Sequence, residues 1–220
     1  MIKKLAGPVL TVLVGAAFVA TLGFVLHQRP SPAIAAAPKP AASAHAYLHL
    51  STYPDSLAGE HGKDGGAEPD WVSYGPTTTL TLPANSLVTV TISQYDGGEA
   101  ITNPWFAKVQ GTIGGTETVD GKPVTHVDPE TIGHTFTIHA APTAQDPLFV
   151  NAPLPAVPDD APVADGSMYP KPIAVTFSFR TKGPGTYVWN CEFPCGDGTY
   201  AKFGGPMSTR GYMSGTLTVV

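Results

Sequence analysis

Residues 172–220 read PIAVTFSFRTKGPGTYVWNCEFPCGDGTYAKFGGPMSTRGYMSGTLTVV. Over 173–179, Ile173, Val175, Phe177 and Phe179 fall on one face and Ala174, Thr176 and Ser178 on the other. A period of two, rich in β-branched and aromatic residues, is the pattern of a strand with one buried face. Pro184 and Gly185 punctuate the chain, after which 186–191 brings Tyr187, Trp189 and Cys191 together. A β-branched run over 216–220 follows. Runs of this length bounded by Gly or Pro predict short strands joined by turns.

The same pattern extends upstream. Residues 77–82 and 86–92 alternate, with Leu80/Leu82 and Val88/Val90/Ile92 each on one face. Residues 134–138 place His134, Phe136 and Ile138 on one face. No window carries a helical stripe. With 24 Gly and 23 Pro in 220 residues, the composition is that of strands and turns. An all-β sandwich or small barrel is expected. Residues 140–172 are Pro-rich and are expected to be an irregular connection.

The chain start reads differently. Lys3 and Lys4 precede an uncharged run over 5–26, LAGPVLTVLVGAAFVATLGFVL. About 20 apolar residues suffice to cross a bilayer as a helix. The run is longer than the usual apolar core of a cleaved signal, so residues 1–29 are expected to be a membrane anchor. Ala33-Ile34-Ala35 is the alternative, a small-residue cleavage site. Either way the lysines stay inside and the rest goes out, placing the domain in an oxidising, extracytoplasmic space. Residues 30–46 are Pro/Ala-rich and predict an extended spacer. The expected organisation is an anchor over 1–29, a linker and His-containing leader over 30–76, and a folded domain over 77–220.

Charge narrows the partners. The chain has 12 Lys and Arg against 17 Asp and Glu, a net charge of −5. Three of the 12 bases (Lys3, Lys4 and Arg29) lie in a first stretch without an acid, so the remainder is more acidic still. That excludes a basic footprint for nucleic acid and favours a basic partner. The sequence holds no Gly-x-Ser-x-Gly, no His-Glu-x-x-His and no phosphate-binding Gly loop. Asp159-Asp160 stands in a Pro-rich stretch without a partner carboxylate.

The order of pieces over 173–220 resembles the cupredoxins. They are Val175-Thr176-Phe177-Ser178-Phe179, then Pro184-Gly185-Thr186-Tyr187, then Cys191, then Met213-Ser214-Gly215-Thr216-Leu217-Thr218-Val219. His134-Thr135-Phe136 matches the upstream His-x-Phe strand. The resemblance covers about 77–220. It implies a Greek-key β-sandwich or barrel, and a copper ion held by His134, Cys191 and Met213. Thiolate and imidazole suit copper, and a thioether adds a weak axial bond. The implied role is one-electron transfer rather than stand-alone catalysis, with a cytochrome or oxidase as redox partner.

Two departures bear on that expectation. No His follows His139, so the usual second imidazole after the Cys is missing. Instead Cys191 is followed by Cys195 and Gly196, which is similar to the dinuclear copper A domain of oxidase subunit II. That family's following His and Met positions hold Thr199 and Lys202 here, so the similarity is partial. The candidate metal ligands are therefore His134, Cys191, Cys195 and Met213, with Met207 as a second thioether. Two other readings stay open. Cys191 and Cys195 can form a disulfide in a metal-free interaction module, or a sulfur-rich site can store or deliver Cu(I). Parity places His139 on the opposite face from His134, towards solvent, and His126 in a surface turn. His45, His49 and His61 sit in the leader, where they are either solvated or the source of a further imidazole.

Overall fold

The computed structural model describes residues 44–54, 71–98, 102–140, 146–195, 205–207 and 209–220. The expected anchor over 1–29, the Pro/Ala spacer to 43 and His61 lie outside the described residues. Among the described residues no helix is long and apolar enough to cross a membrane.

Eleven strands account for the described domain: β1 (His45–Tyr53), β2 (Ser73–Gly75), β3 (Thr79–Leu82), β4 (Leu87–Gln94), β5 (Glu117–Val119), β6 (Lys122–Val124), β7 (Ile132–Ala140), β8 (Val150–Pro155), β9 (Ile173–Arg180), β10 (Gly185–Asn190) and β11 (Ser214–Val219). One short 3-10 turn, Ile113–Gly115, interrupts them. They form two sheets, ordered β2-β1-β4-β9-β5-β6 and β3-β11-β10-β7-β8. Each sheet contains one parallel pair, β1 with β4 and β11 with β3, among antiparallel neighbours.

The alternation predicted for 86–92, 134–138, 173–179 and 186–191 becomes β4, β7, β9 and β10. Their inward residues make the core. Val88, Val90 and Ile92 lie beside Val175, Phe177 and Phe179 in one sheet, while Phe136, Ile138, Tyr187 and Trp189 belong to the other. The Phe136 and Trp189 rings sit 4.9 Å apart, and Tyr74 meets Trp189 edge-on at 4.9 Å. The Trp189 indole N–H donates to the Thr78 carbonyl at 2.9 Å, which satisfies the polar atom of this buried ring.

Three stretches differ from expectation. The sandwich begins well before residue 77, because β1 runs through the expected leader and pairs with β4 over eight positions. His45 and His49 therefore sit on the exposed side of a sheet strand. Within the expected irregular connection, β8 pairs with β7. It carries Pro153 and Pro155, which an edge strand tolerates because one of its sides needs no ladder bonds. The strands β5 and β6 extend the first sheet with three residues each.

The strand β7 is buried on both faces down to Ile138. Its Thr135 and Thr137 face away from the core and are covered by the segment 103–111, which is tied to β8 by a backbone pair between Gln110 and Asn151, both bonds at 2.9 Å. Gly111 makes that approach possible. It has φ +71°, and a Cβ there would lie 1.9 Å from the Phe149 carbonyl oxygen.

Candidate metal centre

The functional residues collect at one end of the sandwich because three strands end there. Cys191 follows the last residue of β10, Met213 precedes the first residue of β11, and His134 lies near the start of β7. The Cys191 amide donates to the Met213 carbonyl at 2.9 Å, fixing the end of β10 against the entry to β11.

His134, Cys191 and Cys195 converge. Their ligand atoms all lie within 4.8 Å of one another. The imidazole Nδ1 is 3.0 Å from the Cys195 sulfur and 3.7 Å from the Cys191 sulfur. The two sulfurs are 3.2 Å apart and are not joined in a disulfide. Exposure of the three is 0%, 0% and 1%, so the cluster is closed to water.

Asp96 completes the cluster and was not among the residues expected from sequence. It lies two positions past β4, and its Oδ2 accepts from His134 Nε2 at 2.6 Å. The Gly98 amide donates to the same oxygen at 3.1 Å. With Nε2 engaged, Nδ1 is the nitrogen presented to the sulfurs. A carboxylate behind a ligating imidazole fixes ring orientation and raises its basicity. Asp96 is also where the cluster meets the surface, its side chain being 18% exposed.

The electrostatics follow from these contacts. Burial by itself would push the Cys191 thiol up. Hydrogen bonds from Cys195 and His134, the His134 charge and the Thr135 amide outweigh it and hold the thiol well below its usual range. Burial by itself would lower His134, yet the bond to Asp96 and the neighbouring Cys191 bring it up to about 9. Burial would raise Asp96, and the bond to His134 together with the glycine amides lowers it instead. The cluster thus favours a charged thiolate, the form that binds metals. Cys191 Sγ also accepts from the Thr135 amide at 3.3 Å and the Phe193 amide at 3.4 Å. Cys195 Sγ also lies 3.0 Å from the Phe193 carbonyl oxygen, a second acceptor for the one thiol proton.

The donor set fits a soft transition metal. With the three atoms 3.0, 3.2 and 3.7 Å apart, bonds of about 2.0 Å to nitrogen and 2.3 Å to sulfur are long enough for one ion to reach all of them. Two thiolates and an imidazole select copper or zinc over hard cations.

The remaining expected residues are placed as follows. Met213 is fully buried beside Cys191, and Met207 packs half-buried against the core. His139 is half-buried, and its Nε2 pairs with Glu192 Oε1 rather than standing free in solvent. His126 is exposed, as expected. His45 bonds to Thr89 and Tyr47 on the outer face of β1, so it brings no imidazole to the cysteines. Among the described residues one imidazole stands with the two thiols.

The two-sheet sandwich, with the cysteines between its last two strands and the His on the adjacent β7, is the arrangement the cupredoxin resemblance implies. No family model matches the chain, and no curated protein matches it. Solved structures similar to it include auracyanin B, at 18% identity over 83% of this chain and 93% of that one with a TM-score of 0.35. Reduced rusticyanin is similar at 17% identity over 80% and 77%, with a TM-score of 0.40. A Cu-containing nitrite reductase from Thermus scotoductus SA-01 is similar at 14% identity over 80% and 31%, with a TM-score of 0.29.

Proposed function

We propose that this chain is a one-electron carrier holding copper through His134, Cys191 and Cys195, with the buried Met213 as the weak fourth donor. The observation that carries the reading is the convergence of one imidazole nitrogen and two sulfurs within 4.8 Å, all three side chains being buried. Copper in such a set gains and loses single electrons, its potential tuned by the axial donor and by hydrogen bonding at the sulfur. The chain's own contribution is to hold the donors still. Asp96 orients His134, the Thr135 and Phe193 amides fix the Cys191 sulfur, and the Met213 carbonyl pins the Cys191 backbone.

The reading includes a membrane anchor over 5–26, an extracytoplasmic domain and a basic redox partner such as a cytochrome or an oxidase. Lys3, Lys4 and the acidic remainder of the chain support it. A reporter active only in the cytoplasm, fused after Val220, is expected to be silent, and activity there would overturn the topology.

Metal analysis of the purified protein, with optical and spin-resonance spectra, tests the centre. One copper per chain and strong sulfur-to-copper absorption, abolished in Cys191→Ser, are expected. A second reading is favoured by the 3.2 Å between the sulfurs: a metal-free module in which the pair oxidises to a disulfide. Protein that never retains copper, with a mass lower by two hydrogens, would establish that reading. Copper held only as Cu(I), without redox cycling, would point to storage or delivery.

A further inference from the structure

A chain of buried hydrogen bonds leaves the cysteine loop and crosses the outer face of the β7–β8 pair. The Glu192 amide donates to Thr135 Oγ1 at 2.9 Å. Thr135 Oγ1 and Thr137 Oγ1 lie 2.9 Å apart. Thr137 Oγ1 donates to Asn151 Oδ1 at 2.8 Å. The Asn151 Nδ2 meets the Phe106 carbonyl at 3.0 Å and the Lys108 carbonyl at 2.7 Å. Thr135, Thr137 and Asn151 are all at 0% exposure.

The proton positions in this chain are forced. Two carbonyl oxygens can only accept, so the Asn151 amide nitrogen must face them and its oxygen must face Thr137. A hydroxyl carries one proton. Thr137 spends its proton on Asn151 and must accept from Thr135. Thr135 spends its proton on Thr137 and must accept from Glu192. Both Asn151 protons are spent as well. The chain therefore runs in one direction without a spare donor, and its three side chains are closed to solvent.

Its two ends matter for the site. At one end Thr135 takes the Glu192 amide on its side chain while its own amide reaches the Cys191 sulfur at 3.3 Å. At the other end Asn151 gathers the 103–111 segment. We infer that Asn151 is a positioning residue for the Cys191–Glu192 turn, acting through Thr137 and Thr135, and that it braces the turn against the 103–111 segment. Asn151 touches none of the ligand atoms. Its effect passes through the orientation of two hydroxyls, which a buried chain with no alternative partners holds in one state. The consequence for copper rests on the function proposed above, while the brace itself does not.

The test separates the two. In metal-free full-length protein, amide hydrogen exchange at Glu192 is compared with that at Val90, a core amide of the other sheet. Thr137→Val keeps the shape and removes both hydroxyl bonds. It is expected to speed Glu192 exchange at least ~10-fold with Val90 unchanged, and Asn151→Leu is expected to do the same. Thr137→Ser restores a hydroxyl and is expected to return exchange to the wild-type rate. Equal acceleration at Val90, or no change at Glu192, would overturn the brace. In copper-loaded protein, Thr137→Val is expected to shift the sulfur-to-copper absorption and Thr137→Ser to leave it in place. An unshifted band alongside faster Glu192 exchange would overturn the positioning role. If the wild type binds no copper, the function proposed above fails, and the exchange result alone decides the brace.

Discussion

Asp96 Oδ2 accepts from His134 Nε2 at 2.6 Å, and this bond turns the opposite ring nitrogen, Nδ1, towards both cysteine sulfurs. The two residues are 38 positions apart and come from different sheets. The carboxylate sits on the first sheet just past β4, while the imidazole hangs from β7 in the second. The bond therefore ties the two layers together at the end where the ligands meet.

Removing the charge behind the imidazole should loosen the metal. Asp96→Asn is expected to weaken copper binding by roughly 10–100-fold, the usual cost of losing a partner behind a metal-ligating imidazole. Competition with a copper chelator measures it. Affinity equal to that of the wild type would mean that Asp96 does not orient His134.

The thioethers should differ. Met213 is fully buried beside the Cys191 backbone, whereas Met207 is only half-buried. Met213→Leu is close in volume and costs under ~1.5 kcal/mol of packing. It is expected to shift the reduction potential with copper still bound, because an axial thioether tunes more than it holds. Met207→Leu is expected to change little. Voltammetry of both variants decides which sulfur belongs to the site, and the reverse pattern would assign it to Met207.

Glu117 predicts a pH dependence unrelated to the metal. It is 1% exposed, and neither carboxylate oxygen has a hydrogen-bond partner among the described residues. Burial pushes its pKa from 4.5 up to about 9. Between those values the folded protein keeps a proton that the unfolded chain has released. Stability therefore falls as pH rises through that window, by at most ~1.4 kcal/mol per pH unit. Urea unfolding at about pH 5 and about pH 8 should find the protein weaker at the higher pH. Glu117→Gln should reduce the difference, leaving the part due to His134, and a variant with the wild-type pH slope would falsify the assignment.

The β3–β11 contact should not tolerate a side chain at Gly215. A Cβ there would lie 1.8 Å from the Thr78 carbonyl oxygen, which also accepts the Trp189 indole N–H and the Thr216 amide. Gly215→Ala is expected to cost at least the ~1–3 kcal/mol typical of overpacking. Trp189→Phe, which leaves the same carbonyl with one donor, should be milder. Denaturant unfolding of the metal-free proteins ranks the two, and a milder Gly215→Ala would contradict the close approach.

How much of this was legible in the sequence depended on how each strand meets its neighbours. The strands β4, β7, β9 and β10 carry long apolar alternation because each packs one face on the core, and the period of two gave them away. The strand β1 alternates too, but His45, Tyr47 and His49 occupy its outer face and made it read as a His-rich leader. Pro153 and Pro155 hid β8, since proline argues against a strand except at an edge, and only the assembled sheet reveals the edge. Three of the site residues, His134, Cys191 and Cys195, came from motif order and do converge. Asp96 carried no such signal. It sits in Tyr95-Asp96-Gly97-Gly98, an ordinary turn composition, and only the pairing of β4 with its neighbours brings that turn to His134. Asn151 was equally silent, because a lone Asn between apolar residues reveals nothing of the two hydroxyls beneath it.

The parallel pairing of β1 with β4 has a practical consequence. Both strands advance towards the cysteine end, so His45 starts beside Leu87 at the opposite pole, where the Leu87 amide bonds the Ala44 carbonyl. Val219 lies at that pole too, opposite Gly185, and Val220 accepts from the Ala84 amide there. Eight paired positions at ~3.3 Å each put ~25 Å between that pole and the far ends of the strands. An affinity handle, a surface linkage or a fluorescent reporter joined after Val220 thus attaches on the side away from the thiols, and the protein can be immobilised on an electrode through that residue with its cysteine face turned outward.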